Sequence, residues 1–200
     1  MDHGSEIAFT DAVKTIQEQF GVREFNAATS ARRPWGLEIS EELAKFIAMR
    51  DSFYLGTASA DGRPYIQHRG GLPGFLKVMD KHTLAFPDQP GNKQFITAGN
   101  LSENDQAFIF LMDYEMRQRI KLWGRARFEE RDQDLIRRTL SQGDDPARIS
   151  RAVVFTVETW DVNCQQRIPQ KFSEATVQQV VRKLTERVAD LEARLKVYES

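Results

Sequence analysis

Ser52-Phe-Tyr-Leu-Gly-Thr-Ala-Ser-Ala-Asp-Gly-Arg-Pro-Tyr-Ile-Gln-His-Arg69 decides the fold. Two extended runs, Ser52 to Ser59 and Pro64 to Arg69, flank Asp61-Gly62. That dipeptide between β-prone segments is a strong hairpin signal, because glycine adopts the positive φ that a tight turn needs. An antiparallel pair therefore sits near the centre of the chain. The second run leads directly into Gly70-Gly71.

The residues that follow extend the pattern. Phe75 to Asp80 and His82 to Phe86 read as a further strand pair. Pro87-Asp-Gln-Pro-Gly91 is turn chemistry, with Pro90-Gly91 suited to the middle of a type II turn. Asn92-Lys93-Gln94 is expected to open a short helix. Arg69 then ends a strand and Lys93 begins a helix, both beside glycines. Glycine lets a ligand approach the backbone, and a helix start offers free N–H groups to an anion. Together these features suggest a pocket for a phosphorylated small molecule. The plainer reading is two ordinary surface cations near turns.

Upstream, residues 8–20 form an amphipathic pattern, capped by Thr10, closed by Gly21 and carrying Ala12, Ile16 and Phe20 on one face. Residues 22–39 read as irregular. Ser40 caps a second helix from Glu41 to Met49, with Leu43, Phe46 and Ile47 as its apolar face. Downstream, Gln106 to Asp113 is dense enough in Phe, Ile and Leu for a strand buried on both faces. Arg119 to Glu129 alternates like a half-exposed strand. Residues 132–140 form a charged helix, broken by Gly143-Asp-Asp-Pro146, and Ala152 to Thr159 is the last strand. Strands joined by short turns are antiparallel. The expected fold is therefore α+β and mainly antiparallel: a meander closing into a small barrel, with peripheral helices.

The C-terminus is periodic. Val177, Val181, Leu184, Val188, Leu191, Leu195 and Tyr198 are spaced alternately four and three apart. This is a heptad seam with Val, Val and Leu at a and mainly Val and Leu at d, a pattern that favours two parallel helices. Arg187 would face Glu192 of a second helix, and Arg194 would face Glu199. Residues 1–172 then form the barrel domain with its N-terminal helices, and residues 173–200 a dimerising helix. The alternative is one helix laying its seam on its own barrel.

The composition is undramatic. Basic and acidic side chains number 28 and 29, so nothing points to nucleic acid or an anionic membrane surface. The single cysteine, Cys164, rules out an intrachain disulfide framework and suits a reducing compartment. With no secretory pattern at the N-terminus and no run of transmembrane length, the expectation is a cytoplasmic protein. His3, His68 and His82 are scattered and form no metal-ligand spacing with Cys164, so no metal site is expected. Cys164 is either a nucleophile or, more commonly, an inert buried thiol. His68 either faces a ligand or is a satisfied core histidine. Trp160, expected just beyond the last strand, is more often packing than cofactor contact.

Several motifs in order resemble the pyridoxamine 5'-phosphate oxidase-related, FMN-binding split-barrel proteins, in particular an uncharacterised bacterial branch. They are Thr57-Ala-Ser-Ala-Asp-Gly-Arg-Pro64, Gln67-His-Arg-Gly-Gly71, Leu84-Ala-Phe-Pro87, Gly91-Asn-Lys-Gln94, Gly99-Asn-Leu101, Lys121-Leu-Trp-Gly-Arg-Ala126 and Trp160-Asp-Val-Asn-Cys164. The resemblance implies a six-stranded split β-barrel that dimerises and binds FMN at the subunit interface. By position, Gln67, His68, Arg69, Gly70, Lys93, Gln94 and Thr97 would hold the phosphate and ribityl chain. Arg119 would reach the flavin, and Trp160, Asn163, Arg167 and Lys171 would be offered to the ring by the second subunit. The implied function is an FMN-dependent oxidoreductase, fed by a nicotinamide donor or directly by substrate, with no catalytic residue singled out. A non-catalytic flavin or haem carrier, or a deazaflavin-dependent reductase, is the alternative. Pyridoxamine phosphate oxidases carry a His-Asp pair near their end for substrate recognition. Arg167-Ile-Pro-Gln-Lys-Phe172 lacks it, so the resemblance does not supply the substrate.

Overall fold

The computed structural model describes residues 4–163 and 165–198. Cys164, His3 and Glu199, and with them the thiol question and the Arg194–Glu199 pairing, lie outside the described residues. The chain divides into two compact bodies. One comprises residues up to 112 with 119–163, the other residues 113–118 with 165–198.

The first body is built on an antiparallel sheet of seven strands: β1 Ser52–Ala58, β2 Pro64–Gly70, β3 Lys77–Val78, β4 Thr83–Pro87, β5 Gln106–Asp113, β6 Gln118–Glu129 and β7 Ala152–Asn163. Their order across the sheet is β2-β1-β5-β6-β7-β4-β3, and the sheet is not closed. The sheet has seven strands where the resemblance implies six, and the two-residue β3 is all that forms of the expected Phe75–Asp80 run. The Asp61-Gly62 turn forms as expected. Gly62 takes a φ of +82° and donates its N–H to the Ser59 carbonyl at 2.9 Å, while Ala58 faces Pro64.

The core lies on one face of this sheet. Phe53 and Leu55 of β1, Ile109 and Leu111 of β5, Ile120 and Leu122 of β6, and Val153 and Phe155 of β7 are almost fully buried there. The helix α3, Glu41–Ala48, closes the core with Leu43, Phe46 and Ile47, and the Ser40 hydroxyl accepts the Leu43 N–H at 3.2 Å. β6 and β7 approach so closely at Gly124, beside a register shift, that a Cβ there would collide with the Thr156 carbonyl.

Four expectations need correction. Residues 22–39 are not irregular throughout: α2 spans Arg23–Arg32. It has no side-chain cap at Val22 and no buried residue, so neither start signal nor apolar stripe marks it. α1 forms under its Thr10 cap but spans Asp11–Gln19 rather than 8–20, with Ile16 of its apolar face 52% exposed. β5 is buried on one face only. Ala107, Ile109 and Leu111 enter the core, while Phe108, Phe110 and Met112 are half-buried on the other face. β7 runs on to Asn163, so Trp160 is inside the strand, its indole N–H donated to the Glu38 carbonyl at 2.8 Å.

In the second body α6 spans Glu174–Tyr198. Ser173 caps it, and Glu115 of the 113–118 turn accepts from the Ser173 N–H at 2.6 Å and from the Thr176 hydroxyl at 2.9 Å. Every residue of the heptad seam is at least 42% exposed.

Candidate functional site

Strand alternation sorts the residues of β2. Tyr65, Gln67 and Arg69 share the half-buried face, while Ile66 and His68 point the other way and are exposed. The Gln67 face meets α4, Ile96–Glu103. The Thr97 hydroxyl donates to Gln67 Oε1 at 2.7 Å, and Asn100 Nδ2 donates to the buried Thr57 hydroxyl of β1 at 3.0 Å. These two bonds fix α4 across the start of the sheet.

Between β4 and α4 the chain makes a strap. Gly91 does not take a positive φ, so Pro90-Gly91 is not the centre of a type II turn. The left-handed positions fall on Lys93 and Phe95 instead, at φ of +60° and +55°. Non-glycine residues pay a steric cost there. Lys93 is thus not at the helix start. α4 opens at Ile96, and Lys93 is an exposed strap residue.

The strap, β2 and the approach to β7 enclose a cavity of about 610 Å³. Of the sequence-predicted residues, Gln67, Arg69, Lys93, Gln94 and Thr97 line it. Tyr65, Phe128, Arg148 and Arg151 line it too and were not predicted, and neither was Asp88. Two cations just before a strand, Arg148 and Arg151, were visible in the sequence. Only the pairing of β4 with β7, Pro87 against Ala152, brings them beside the strap.

The cavity wall is cationic. Arg69 Nη1 donates to Asp88 Oδ1 at 3.2 Å, and Arg151 Nε donates to Asp88 Oδ2 at 2.8 Å. Arg151 also lies over the Phe128 ring at 4.1 Å and reaches Glu130 at 3.4 Å. Arg69 sits 5.6 Å from the centre of the Phe86 ring. Its Nε is buried and without a protein partner. A phosphate fits such a wall: several guanidinium and ammonium donors, one of them unmatched, in a partly water-excluded hollow. The nearby Glu129–Asp132 turn is held by the Glu129 carboxylate, which accepts from Arg127 and from the Arg131 and Asp132 N–H groups. The Arg127 contact first, then those N–H groups, lower its pKa to about 2.

A second hollow of about 500 Å³ shares Gln67 and Arg69 and adds His68 and Gly70. His68 is exposed, its ring edge-on to Tyr54 at 5.6 Å, so it is not a core histidine. Arg119, Trp160 and Asn163 do not line the main cavity. Arg119 and Asn163 face each other at the end of the β6–β7 ladder, and Arg119 Nε is buried without a partner. Trp160 packs on Gly36 and the core. Arg167 and Lys171 belong to the second body, where Lys171 Nζ stands 4.5 Å from the centre of the Tyr114 ring.

No curated protein matches the chain in sequence. Among solved structures, HupZ of Group A Streptococcus shares the fold with a TM-score of 0.52, at 15% identity over 67% of this chain and 99% of that one. A Lactobacillus delbrueckii chain named for pyridoxamine 5'-phosphate oxidase scores 0.49, at 20% identity over 63% and 95%. A Clostridium acetobutylicum protein related to general stress protein 26 scores 0.47, at 16% identity over 61% and 85%. In sequence, residues 39–164 match the family model for pyridoxamine 5'-phosphate oxidase. That match spans most of the chain and all seven strands, and the chain belongs to the pyridoxamine 5'-phosphate oxidase family.

Proposed function

We propose that the protein is an FMN-binding flavoprotein, a homodimeric split barrel that works as an FMN-dependent oxidoreductase. The cationic cavity carries the reading: Arg69, Lys93, Arg148 and Arg151 stand against Asp88 and Glu130 in a space of small-ligand size. Arg69 and Lys93 would hold the phosphate, with Gln67 and Thr97 beside the ribityl chain. The bound flavin would supply two-electron transfer between a donor, such as a nicotinamide, and a small substrate. The protein's own residues bind and orient it and exclude water.

Two surfaces support a second copy. On the outer face of β2, β1 and β5, Ile66 is 69% exposed and stands across Gly56 from Phe108, and His68 stands across Tyr54 from Phe110. An aromatic sheet face of this kind is a natural partner surface. The second is the exposed seam of α6, which we read as one half of a parallel coiled coil. Trp160, Asn163, Arg167 and Lys171 would then be offered to the flavin ring by the second copy, and Arg119 would reach it from β6.

Dialysis against flavin-free buffer tests the phosphate assignment. Lys93→Ala should weaken FMN binding by roughly tenfold, and Arg69→Ala by more, as expected for lost charge-assisted hydrogen bonds. Full flavin occupancy in both variants would remove Arg69 and Lys93 from the site. A bound haem or deazaflavin would redirect the reading to a carrier or to a deazaflavin reductase. Bound FMN without turnover for any donor and acceptor pair would leave a flavin carrier or sensor.

A further inference from the structure

Asp88 is, among the described residues, the one carboxylate shared by two cations of the cavity wall. Its side chain is 14% exposed, that of Arg69 13% and that of Arg151 21%. Each oxygen serves a different guanidinium group, 3.2 Å to Arg69 and 2.8 Å to Arg151. Its backbone N–H also donates to the Arg151 carbonyl at 3.1 Å, one step beyond the last β4–β7 pair. Asp88 therefore joins the end of β2 to the residue just before β7. Without it, two guanidinium groups, one on β2 and one just before β7, would repel each other across a partly buried space. With it, each is held by one nitrogen, Nη1 of Arg69 and Nε of Arg151. The Nε of Arg69 is left buried with no hydrogen-bond partner in the protein, an unmet donor of a residue that lines the cavity.

We propose that Asp88 is a positioning residue for anion recognition: it clamps Arg69 and Arg151 so that their remaining donors present a preformed phosphate site. The inference rests on the reading above, that this cavity takes a phosphate. It has a consequence that charge alone would not give. Replacing Asp88 by Asn makes the cavity more positive, so a purely electrostatic site would bind an anion more tightly. A clamped site binds it less tightly, because Asn offers one acceptor and two donors where two acceptors are needed.

The experiment is equilibrium titration of the purified full chain with FMN, and separately with inorganic phosphate, for wild type, Asp88→Asn, Arg69→Ala and the double variant. Asp88→Asn is expected to weaken FMN by about tenfold or more. Arg69→Ala should then cost much less in the Asp88→Asn background than in wild type, since the clamp is already open. Tighter or unchanged binding in Asp88→Asn, or fully additive losses, would overturn the proposal while leaving the phosphate site in place. A wild type that takes neither FMN nor phosphate would overturn both. Should Asp88→Asn fail to fold, Asp88→Glu keeps the charge and moves the carboxylate by one methylene. It is expected to weaken FMN several-fold, and undiminished FMN affinity would count equally against the clamp.

Discussion

At the scale of single residues, the distances make two consequences specific. Gly124 lets β6 and β7 close together, and a methyl group there would meet both the Thr156 carbonyl and the Phe155 ring. Gly124→Ala should destabilise the fold by about 1–3 kcal/mol, the range for forcing extra volume into packed structure. A urea midpoint lowered at unchanged slope would be the sign of it. The Glu129 carboxyl should titrate near 2 in the native protein, against an ordinary 4.5, and should move upward in Arg127→Ala. Because the folded-state value is the lower one, this contact favours the fold above about pH 4.5 and is lost as pH falls through about 2. A proton titration followed by carboxyl-carbon NMR reads both. A Glu129 resonance titrating near 4.5 in wild type would contradict the hydrogen-bonded turn. Residue-level reading of the sequence did well where chemistry and position coincide, as at Thr10, Ser40 and Gly62. It missed Asp88 and Arg151, whose meaning lies in each other and in a contact 63 residues apart in sequence.

At the scale of elements, local patterning carried far. The β1–β2 hairpin, the half-exposed β6 and the heptad helix all formed where periodicity placed them. It failed in two physical situations. α2 has no cap and no apolar stripe, so nothing local distinguishes it from a loop. β5 is apolar on both faces, yet only one enters the core. Sequence shows hydrophobicity, not which surface covers it. The α6 seam is the same question at larger size. Its residues from Val177 to Tyr198 are exposed in the single chain. Antiparallel pairing would bring Arg187 and Arg194 together, whereas parallel pairing puts Arg187 beside Glu192. Ending the chain after Phe172 should therefore raise the dimer dissociation constant at least tenfold by sedimentation, since each buried Val or Leu contributes about 1.5–3 kcal/mol. An unchanged constant would assign dimerisation to the sheet face around Ile66 and leave α6 without that role.

At the scale of the whole molecule, the family and the antiparallel architecture were readable from motifs in order, because those motifs are turns, strand ends and glycines that the fold itself requires. The site was readable only in part. Gln67, Arg69, Lys93, Gln94 and Thr97 converge on one cavity, but the four cations and two carboxylates along its wall come from β2, the strap, the end of β6 and the approach to β7. Only strand pairing unites them. The central claim is that this cavity holds FMN. The measurement that tests it most directly is the visible absorption spectrum of the purified protein, followed by release of the bound molecule and its identification by mass. Flavin bands with the mass of FMN are the predicted result. A colourless protein that takes up no added FMN would contradict the account.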